Sequence, residues 1–515
     1  MPYDYKPFPY HPPRGLTEPE ATHPVIIVGA GPIGLAMALE LANHGVRSVV
    51  LDDNNVVSVG SRAICWSKRS LEILDRLGVG DKAVEKGVTW KVGRTFHRDK
   101  EVFNFDLLPE DGHKMPAFVN LQQYYVEQFL AEAALQSDLI DLRFKNKVTA
   151  ISQTDEMASV RVETPDGSYD LTGQYVIACD GAKSPIRGMM GLDFDGELFE
   201  ERFLIADIEM QADMPSERRF WFEPTFHNGQ SALLHKQPDN IYRIDLQLGW
   251  DSDPEVEKQP KVVIPRIEKV VGHSDFTLDW VSVYTFQCRR LDRFVHDRVI
   301  FVGDSAHVVS PFGARGGNGG LQDVDNIGWK LAAVLQGRAS PALLETYNAE
   351  RVHGSDENIL NSARATKFMT PSDGAERLFR DQVLALAAKA PFARAWVNSG
   401  RLSVPAVYPL DAPDHHALPK ASRPGAVAPD ARLGNDWLLH QLGGRPVILA
   451  LGCDIAVDGA DVLSPPVSEI LKQRYLGLLE SAIYLIRPDQ VIAARWNHTE
   501  PEAISNAIKA MWCAA

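Results

Sequence analysis

The stretch that decides the fold runs from His23 to Asp53, "HPVIIVGAGPIGLAMALELANHGVRSVVLDD". Val25–Val28 is an unbroken β-branched run, the pattern of a strand buried on both faces of a parallel sheet. Gly29, Gly31 and Gly34 follow as G-x-G-x-x-G, with Pro32 inside the loop. Apolar residues from Leu35 to Leu41 predict a helix packed on that sheet, and Ser48–Leu51 reads as the next strand. Asp52 ends it, 18 positions after Gly34. The three glycines serve different ends. Gly29 permits the tight turn, Gly31 lets backbone approach a pyrophosphate, and Gly34 lets helix and strand pack closely. The helix N-terminus offers free N–H groups to phosphate, and Asp52 is placed to accept from a ribose diol. A bare G-x-G-x-x-G is a weak signal; between a strand and a helix, with the acid at this distance, it specifies a dinucleotide site rather than a Gly-rich turn. Asp53 is expected to face solvent. The complete fingerprint occurs once, so one dinucleotide is held firmly, and any second binds differently or transiently.

Two further segments repeat the theme of a strand ending in a polar bend. In "YVIACDGAKSPIRGMMG", Tyr175–Gly191, an apolar strand ends in Asp180-Gly181, followed by Ser184 and by Arg187 at a helix start. In "FVGDSAHVVSPFGARGGNGGLQDVDNIGWKL", Phe301–Leu331, the strand Val299–Val302 delivers Gly303-Asp304, then Pro311 and the glycine run Gly316–Gly320 precede a helix. Taken singly, each is an ordinary turn.

Taken in order, the three motifs resemble the single-component FAD-dependent aromatic hydroxylases, the group A flavoprotein monooxygenases related to para-hydroxybenzoate and phenol hydroxylases. The resemblance covers nearly the whole chain. "SRAICWSKRSLEILDRLGV" and "LQQYYVEQFLAEAAL" match two more family segments, which implies flavin contacts for Arg62 and Gln123 and a structural role for Glu127. The resemblance thus implies an FAD site built from Gly29, Gly31, Pro32, Gly34, Asp52, Arg62, Gln123, Asp180, Gly181, Gly303, Asp304, Pro311, Gly316, Gly317 and Asn318. Asp304 is expected on the ribityl hydroxyls, and Pro311 beside the reactive C4a edge, where it counts as catalytic. The glycine run opens a helix whose amides are expected to face flavin N1 and C2=O, favouring the anionic reduced ring. Arg187 either contacts the nicotinamide cofactor or is a surface ion-pair residue. The family's Gly-Gln-Gly is here Gly313-Ala314-Arg315-Gly316, so Arg315 either adds positive charge beside the flavin or points to solvent. His307 either steadies the loop by a hydrogen bond or transfers a proton. The implied reaction uses NAD(P)H and O2 and passes one oxygen from a C4a-hydroperoxyflavin to a phenolic or related aromatic substrate. Two rivals are a flavin oxidase or dehydrogenase on the same fold, and a non-catalytic FAD-binding regulatory protein.

The expected fold class is α/β: a Rossmann-like FAD-binding domain of the para-hydroxybenzoate-hydroxylase type, a β-sheet substrate domain and a C-terminal thioredoxin-like domain. The expected boundaries are a Pro-rich arm at 1–23, the FAD-binding domain at 24–100, 117–198 and 286–400, the substrate sheet at 101–116 and 199–285, a linker at 401–423 and the C-terminal domain at 424–515. In "SALLHKQPDNIYRIDLQLGW" two strands flank Pro238-Asp239-Asn240. Tyr242, Ile244, Leu246 and Leu248 share one face, with Arg243, Asp245 and Gln247 on the other. Phe220, Trp221, Phe222 and Phe226 cluster nearby. His235 and Tyr242 are the catalytic candidates for binding or deprotonating a phenol, or else ordinary strand residues; Arg219, His227 and Tyr284 follow unranked. The redox Cys-x-x-Cys of a true thioredoxin is absent, so the C-terminal domain is expected to pack against the body or a neighbouring subunit of a homodimer.

The bulk numbers fit. A chain of 515 residues with 45% apolar and 23% charged residues is globular in composition and long enough for several domains. A formal charge of −15 argues against nucleic acid as a partner. The cysteines at 65, 179, 288, 453 and 513 form no metal or disulfide pattern, and a reducing cytoplasm is the expected location. The N-terminal arm is not a signal peptide; it is a disordered tail or it packs on the body or a partner subunit.

Overall fold

The computed structural model describes residues 3–512 apart from 61, 213, 228, 250, 312, 372 and 398–401, and of 197–201 and 286 the backbone alone. Cys513 and the start of the expected linker at 401 lie outside the described residues.

Three motif-bearing strands lie side by side in one sheet. His23–Val28 pairs in parallel with Gly167–Ala178 on one side and Ser48–Asp52 on the other, and Val299–Phe301 pairs in parallel with Gly167–Ala178. The register brings Val28 level with Ala178, and Ala178 level with Phe301. The three bends that follow, at Gly29, Asp180 and Gly303, therefore emerge on one edge of the sheet. Ile140–Phe144 completes the parallel run beyond Ser48–Asp52. The residues of His23–Val28 from Val25 onward are buried, as their unbroken apolar run requires of a strand covered on both faces. The helices Pro32–Asn43, Gln123–Leu135 and Gly316–Leu335 cover it.

A second, eight-stranded sheet has the order His307–Val308, Thr277–Arg290, Asp195–Glu209, Ile241–Leu248, Ala232–Lys236, Arg218–Phe222, Val92–His97, Lys100–Asp106. It takes up Val92–His97 as well as Lys100–Asp106, so its strands begin earlier in the chain than the expected 101–116 segment. His307–Val308, just past the Gly303-Asp304 bend, pairs with Arg289 and Arg290, so the second sheet runs directly into the loop after the third motif strand. A three-stranded sheet of Cys65–Ser67, Phe118–Asn120 and Val88–Trp90 lies against it, with Asn120 Nδ2 donating to the Lys236 carbonyl (2.8 Å).

The arm packs on the body. Phe8 stacks on Phe144 with centroids 4.6 Å apart, Tyr3 lies 4.2 Å from Tyr124, and the Gly60 amide donates to the Tyr5 hydroxyl (3.1 Å). The C-terminal part carries a mixed four-stranded sheet, Asp461–Leu463, Val447–Leu451, Ala482–Ile486 and Ile492–Trp496. The turn between its last two strands is driven into the body: Arg487 makes two hydrogen bonds to Glu350 (2.7 and 2.9 Å), and Arg69 donates to Gln490 Oε1 (2.7 Å) and the Asp489 carbonyl (2.8 Å). No helix among the described residues is long and apolar enough to cross a membrane.

Candidate functional site: the cleft at three strand ends

Gly29 has φ +105°, a left-handed conformation, and a Cβ there would lie 2.5 Å from the Cys179 carbonyl oxygen. At Gly34 a Cβ would lie 1.8 Å from the Gly29 carbonyl oxygen, so helix and loop pack in direct contact. A Cβ on Gly31 would meet nothing within 4 Å. Space is thus kept in front of the loop, at the N-cap of the helix that begins with Pro32. Asp52 Oδ2 accepts from the Ala30 amide (2.6 Å) and Oδ1 from the Asn54 amide (2.8 Å), which fixes the acid beside the loop and leaves each oxygen a further acceptor position. Burial pushes its pKa up. Asp53 is exposed, as expected.

The second bend is self-braced. Asp180 Oδ2 accepts from the Ile186 amide (2.9 Å), and Gly181 adopts φ +80°. Arg187 donates to the carbonyls of Ala182 (2.8 Å) and Ser305 (3.1 Å) and lies 3.7 Å over the Phe194 ring. It ties the second bend to the third, and makes no ion pair within 4.0 Å among the described residues.

At the third bend, Gly303 has φ +70° and its amide donates to Asp323 Oδ2 (2.9 Å). Asp323 also lies 2.7 Å from His307 Nε2 and accepts from Arg351 Nε at 2.5 Å. His307 is therefore a loop-steadying residue, the first of its two readings. Asp304 is open to the cleft, yet so walled by protein that burial pushes its carboxyl pKa up; the nearby His307 and Arg62 pull the other way. Arg62 is exposed and makes no side-chain hydrogen bond or ion pair among the described residues. Pro311 is exposed on the same loop, and a Cβ on Gly316 would come 4.0 Å from Asp304 Oδ1. A Cβ on Gly317 would press 3.4 Å from Ala63 and Trp66.

Two of the expected contacts, Asn318 and Gln123, bond to protein through their side chains. Asn318 spends its side chain on protein, accepting from the Ser67 amide (2.9 Å) and donating to the Cys65 (2.8 Å) and Ala314 (2.6 Å) carbonyls. Gln123 accepts from the Ala63 amide (3.1 Å) and donates to Glu127 Oε1 (2.7 Å), while Glu127 holds the Ser58 amide (2.5 Å). Both side chains set the loop that presents Arg62. Arg315 is buried and donates to Asn358 Oδ1 (3.0 Å); the solvent-pointing alternative is excluded.

The second sheet divides its candidates between two faces. Tyr242 lies opposite Ile208 and Lys236, in the apolar cluster beneath the helix Pro260–Val271, and its hydroxyl donates to the Ala212 carbonyl (3.0 Å). This corrects its assignment as a catalytic candidate: strand parity turns it away from the cleft. Trp221 and Phe226 pack on that cluster too, and Arg219, level with Leu234, pairs with Glu217 (2.9 Å). His227 lies 2.7 Å from the Gln247 carbonyl oxygen. The other face carries Phe220, Phe222, Tyr284 and His235.

That face holds a row the sequence reading missed. Trp280, Asp207, Arg243 and His235 are level across four strands, and Arg218 comes next, one residue before the Arg219–Leu234 pair. Arg243 donates to both Asp207 oxygens (2.8 and 2.7 Å) and to the Arg62 carbonyl (3.3 Å), which joins the row to the cleft. Arg218 Nε, His235 Nδ1 and Asp245 Oδ1 are enclosed without a hydrogen-bond partner. Burial, then Arg218 and Arg243, holds the His235 imidazole well below its usual pKa, so it stays neutral. Burial raises Asp245 to about 6 and the facing Cys65 thiol to about 12.

A flavin dinucleotide fits these residues. The vacant approach to Gly31, the acid at Asp52, and the unpaired Arg62 and open Asp304 in one cleft are the features such a group fills. The FAD binding domain family matches residues 22–361. A 3-(3-hydroxy-phenyl)propionate/3-hydroxycinnamic acid hydroxylase from Mycolicibacterium gilvum is 28% identical over 85% of this chain and 75% of its own length. A 12-dehydrotetracycline 5-monooxygenase/anhydrotetracycline 6-monooxygenase from Streptomyces rimosus is 28% identical over 84% of this chain and 86% of its own. The crystal structure of the flavin-dependent monooxygenase PieE with FAD and substrate superposes with TM-score 0.80 at 21% identity, covering 97% of this chain and all of that one, a likeness of fold.

Proposed function

Because the chain belongs to the FAD binding domain family, we propose that it is an FAD-dependent monooxygenase that uses NAD(P)H and O2 to hydroxylate a phenolic or related aromatic compound. The carrying observation is the register that puts the Gly29, Asp180 and Gly303 bends on one sheet edge, with the polar row of the second sheet joined to the Arg62 loop by Arg243. FAD, when bound, supplies the electron transfer and oxygen activation. The protein supplies the rest. Gly31 and the helix N-terminus take the pyrophosphate, and Asp52 takes the ribose. Asp304 and Arg62 hold the chain and ring of the flavin, with Pro311 and the Gly316–Gly317 amides alongside. The row from Asp207 to Arg218 orients the aromatic ring, and His235, neutral and enclosed, is placed to hold the proton of a ring hydroxyl. Phe203, Phe220 and Phe222 keep water from one end of that face, which suits chemistry that water would quench.

We assign residues 424–515 to a thioredoxin-like unit without redox chemistry, fixed to the body by Arg487. The experiment is oxidation of NAD(P)H by the yellow holoenzyme against a panel of substituted phenols and aromatic acids under 18O2. Label in the aromatic product supports the hydroxylase. Peroxide without label indicates an oxidase, and tight FAD with no aromatic-stimulated NAD(P)H consumption indicates a binding protein.

A further inference from the structure

The segment 53–62 joins two residues assigned to the flavin, Asp52 and Arg62, and has no helix or strand among its described residues. Its shape is therefore set by what surrounds it. From the helix Gln123–Leu135, Glu127 holds the Ser58 amide (2.5 Å) and Gln123 the Ala63 amide (3.1 Å). From the second sheet, Arg243 donates to the Arg62 carbonyl (3.3 Å). A further side is closed by the N-terminal arm. The Phe8 amide donates to the Asn55 carbonyl (2.7 Å), and Asn55 Nδ2 donates back to the Phe8 carbonyl (3.0 Å). The Tyr5 hydroxyl accepts from the Gly60 amide (3.1 Å). Gly60 is hemmed in by the second sheet as well: it has φ +76°, and a Cβ there would lie 2.3 Å from Trp280 Nε1.

The arm is docked by side chains chosen for it. Tyr3, Tyr5 and Phe8 are half-buried, whereas Asp4, Lys6 and Pro7 are exposed. The Tyr3 and Tyr5 rings meet edge to face at 4.8 Å, Tyr5 lies 5.7 Å from Tyr124, and the Tyr3 hydroxyl donates to Gln128 Oε1 (2.8 Å). Tyr124 and Gln128 stand on the same helix as Gln123 and Glu127. Arm and helix thus grip one segment as two jaws on a common base. Without the Tyr5 oxygen the Gly60 amide must find another acceptor, and the segment loses one of its holds.

We propose that Tyr5 is a positioning residue for the flavin: the arm straps residues 55–60 to the body and so sets where Arg62 meets the cofactor. This rests on the assignment of Arg62 to the flavin, and it adds to the cofactor's grip a part of the chain outside the three motifs.

The test titrates FAD into the FAD-free protein by flavin fluorescence, with the melting temperature of the FAD-free protein alongside. Tyr5→Ala is expected to weaken FAD about 10-fold, and Tyr5→Phe, which keeps the ring and loses the acceptor, about threefold. Neither should move the FAD-free melting temperature by more than about 2 °C. Tyr10→Phe is the control within the arm, since that hydroxyl serves Asp166 (3.0 Å) on the hairpin between Ala158–Thr164 and Gly167–Ala178, and it should leave FAD affinity unchanged. The deciding readout is coupling. In an Arg62→Ala background Tyr5→Ala should weaken FAD by less than about twofold, because Tyr5 acts through Arg62. Wild-type affinity in Tyr5→Ala, or the full loss in the Arg62→Ala background, overturns the strap. If Tyr5→Ala does not fold, Tyr5→Phe in the two backgrounds decides alone. If Arg62→Ala by itself costs no affinity, the strap falls while the FAD site stands; if the wild type takes up no FAD, the FAD reading falls and the strap with it.

Discussion

Gly31 and Gly34 sit one helical turn apart and are glycine for different reasons. A methyl group at 34 collides with the Gly29 carbonyl, whereas one at 31 enters open space. Gly34→Ala is therefore expected to prevent folding or cost about 4 kcal/mol or more, and Gly31→Ala to leave the melting temperature of the FAD-free protein nearly unchanged while FAD binding is lost, as read by calorimetry and flavin content. Tyr242→Phe gives up one hydrogen bond in the far core, about 1 kcal/mol, with kcat and KM unchanged; a fall in kcat of tenfold or more contradicts its placement. Asp245 is the opposite case. Its folded pKa, about 6, lies above the unfolded value, so the folded state binds a proton more tightly and this group's contribution improves as pH falls from about 6 toward 4. Asp245→Asn is expected to stabilise the protein at pH 7 by about 1–3 kcal/mol and to flatten that limb in urea titrations, at a loss of turnover. The motif glycines and acids were legible because backbone approach and phosphate binding tolerate few alternatives. The uses of Gln123, Asn318 and Arg187 were not, since a polar side chain near a cofactor loop has the same sequence signature whether it touches the ligand or braces the loop.

Among the elements, the helix Gly316–Leu335 carries the heaviest polar load in its buried turns. Asp323 holds the Gly303 bend, Asp325 accepts from Arg69 (2.5 Å) and Arg76 (2.7 Å), and Lys330 reaches Glu350 (2.9 Å). Glu350 serves Asn326, Lys330 and Arg487 together. Arg487 and Lys330 hold its carboxyl far below the usual range, against the cost of burial. Such a group stabilises the fold above the unfolded pKa, near 4.3, and the contribution is lost as pH falls below it. Glu350→Gln should cost about 3–5 kcal/mol at neutral pH and remove part of the acid limb of the stability profile, measured by denaturant midpoints from pH 7 to 4. Strand parity explains what this scale concealed. In "RRFWF" either arginine can face the cleft, and only pairing with Ala232–Lys236 sends Arg218 inward with Phe220 and Phe222 and Arg219 outward. The hairpin at 238–240 allowed that alternation to be read for Arg243 and Asp245; no local signal tied 218 to it.

Across the whole molecule, the C-terminal unit is part of one ionic assembly with the flavin-side helices rather than a tethered appendage. Arg487→Ala is expected to lower the melting temperature by about 5 °C or more while leaving a single transition. Separate melting of the C-terminal unit in the wild type contradicts this integration. The first strand–loop–helix unit was legible from its spacing and the three-motif edge from the family resemblance, whereas the junction between units was not, because Glu350 and Arg487 are 137 positions apart and each is unremarkable in its own segment. One junction reaches further. The two-residue ladder from Arg289 and Arg290 to His307 and Val308 splices the eight-stranded sheet onto the turn that bears Asp304, and Arg187 cross-links that turn to its neighbour. The second sheet and the Asp304 turn are thereby geared together: a shift in the sheet is transmitted as strain to that turn, without any relay of charge.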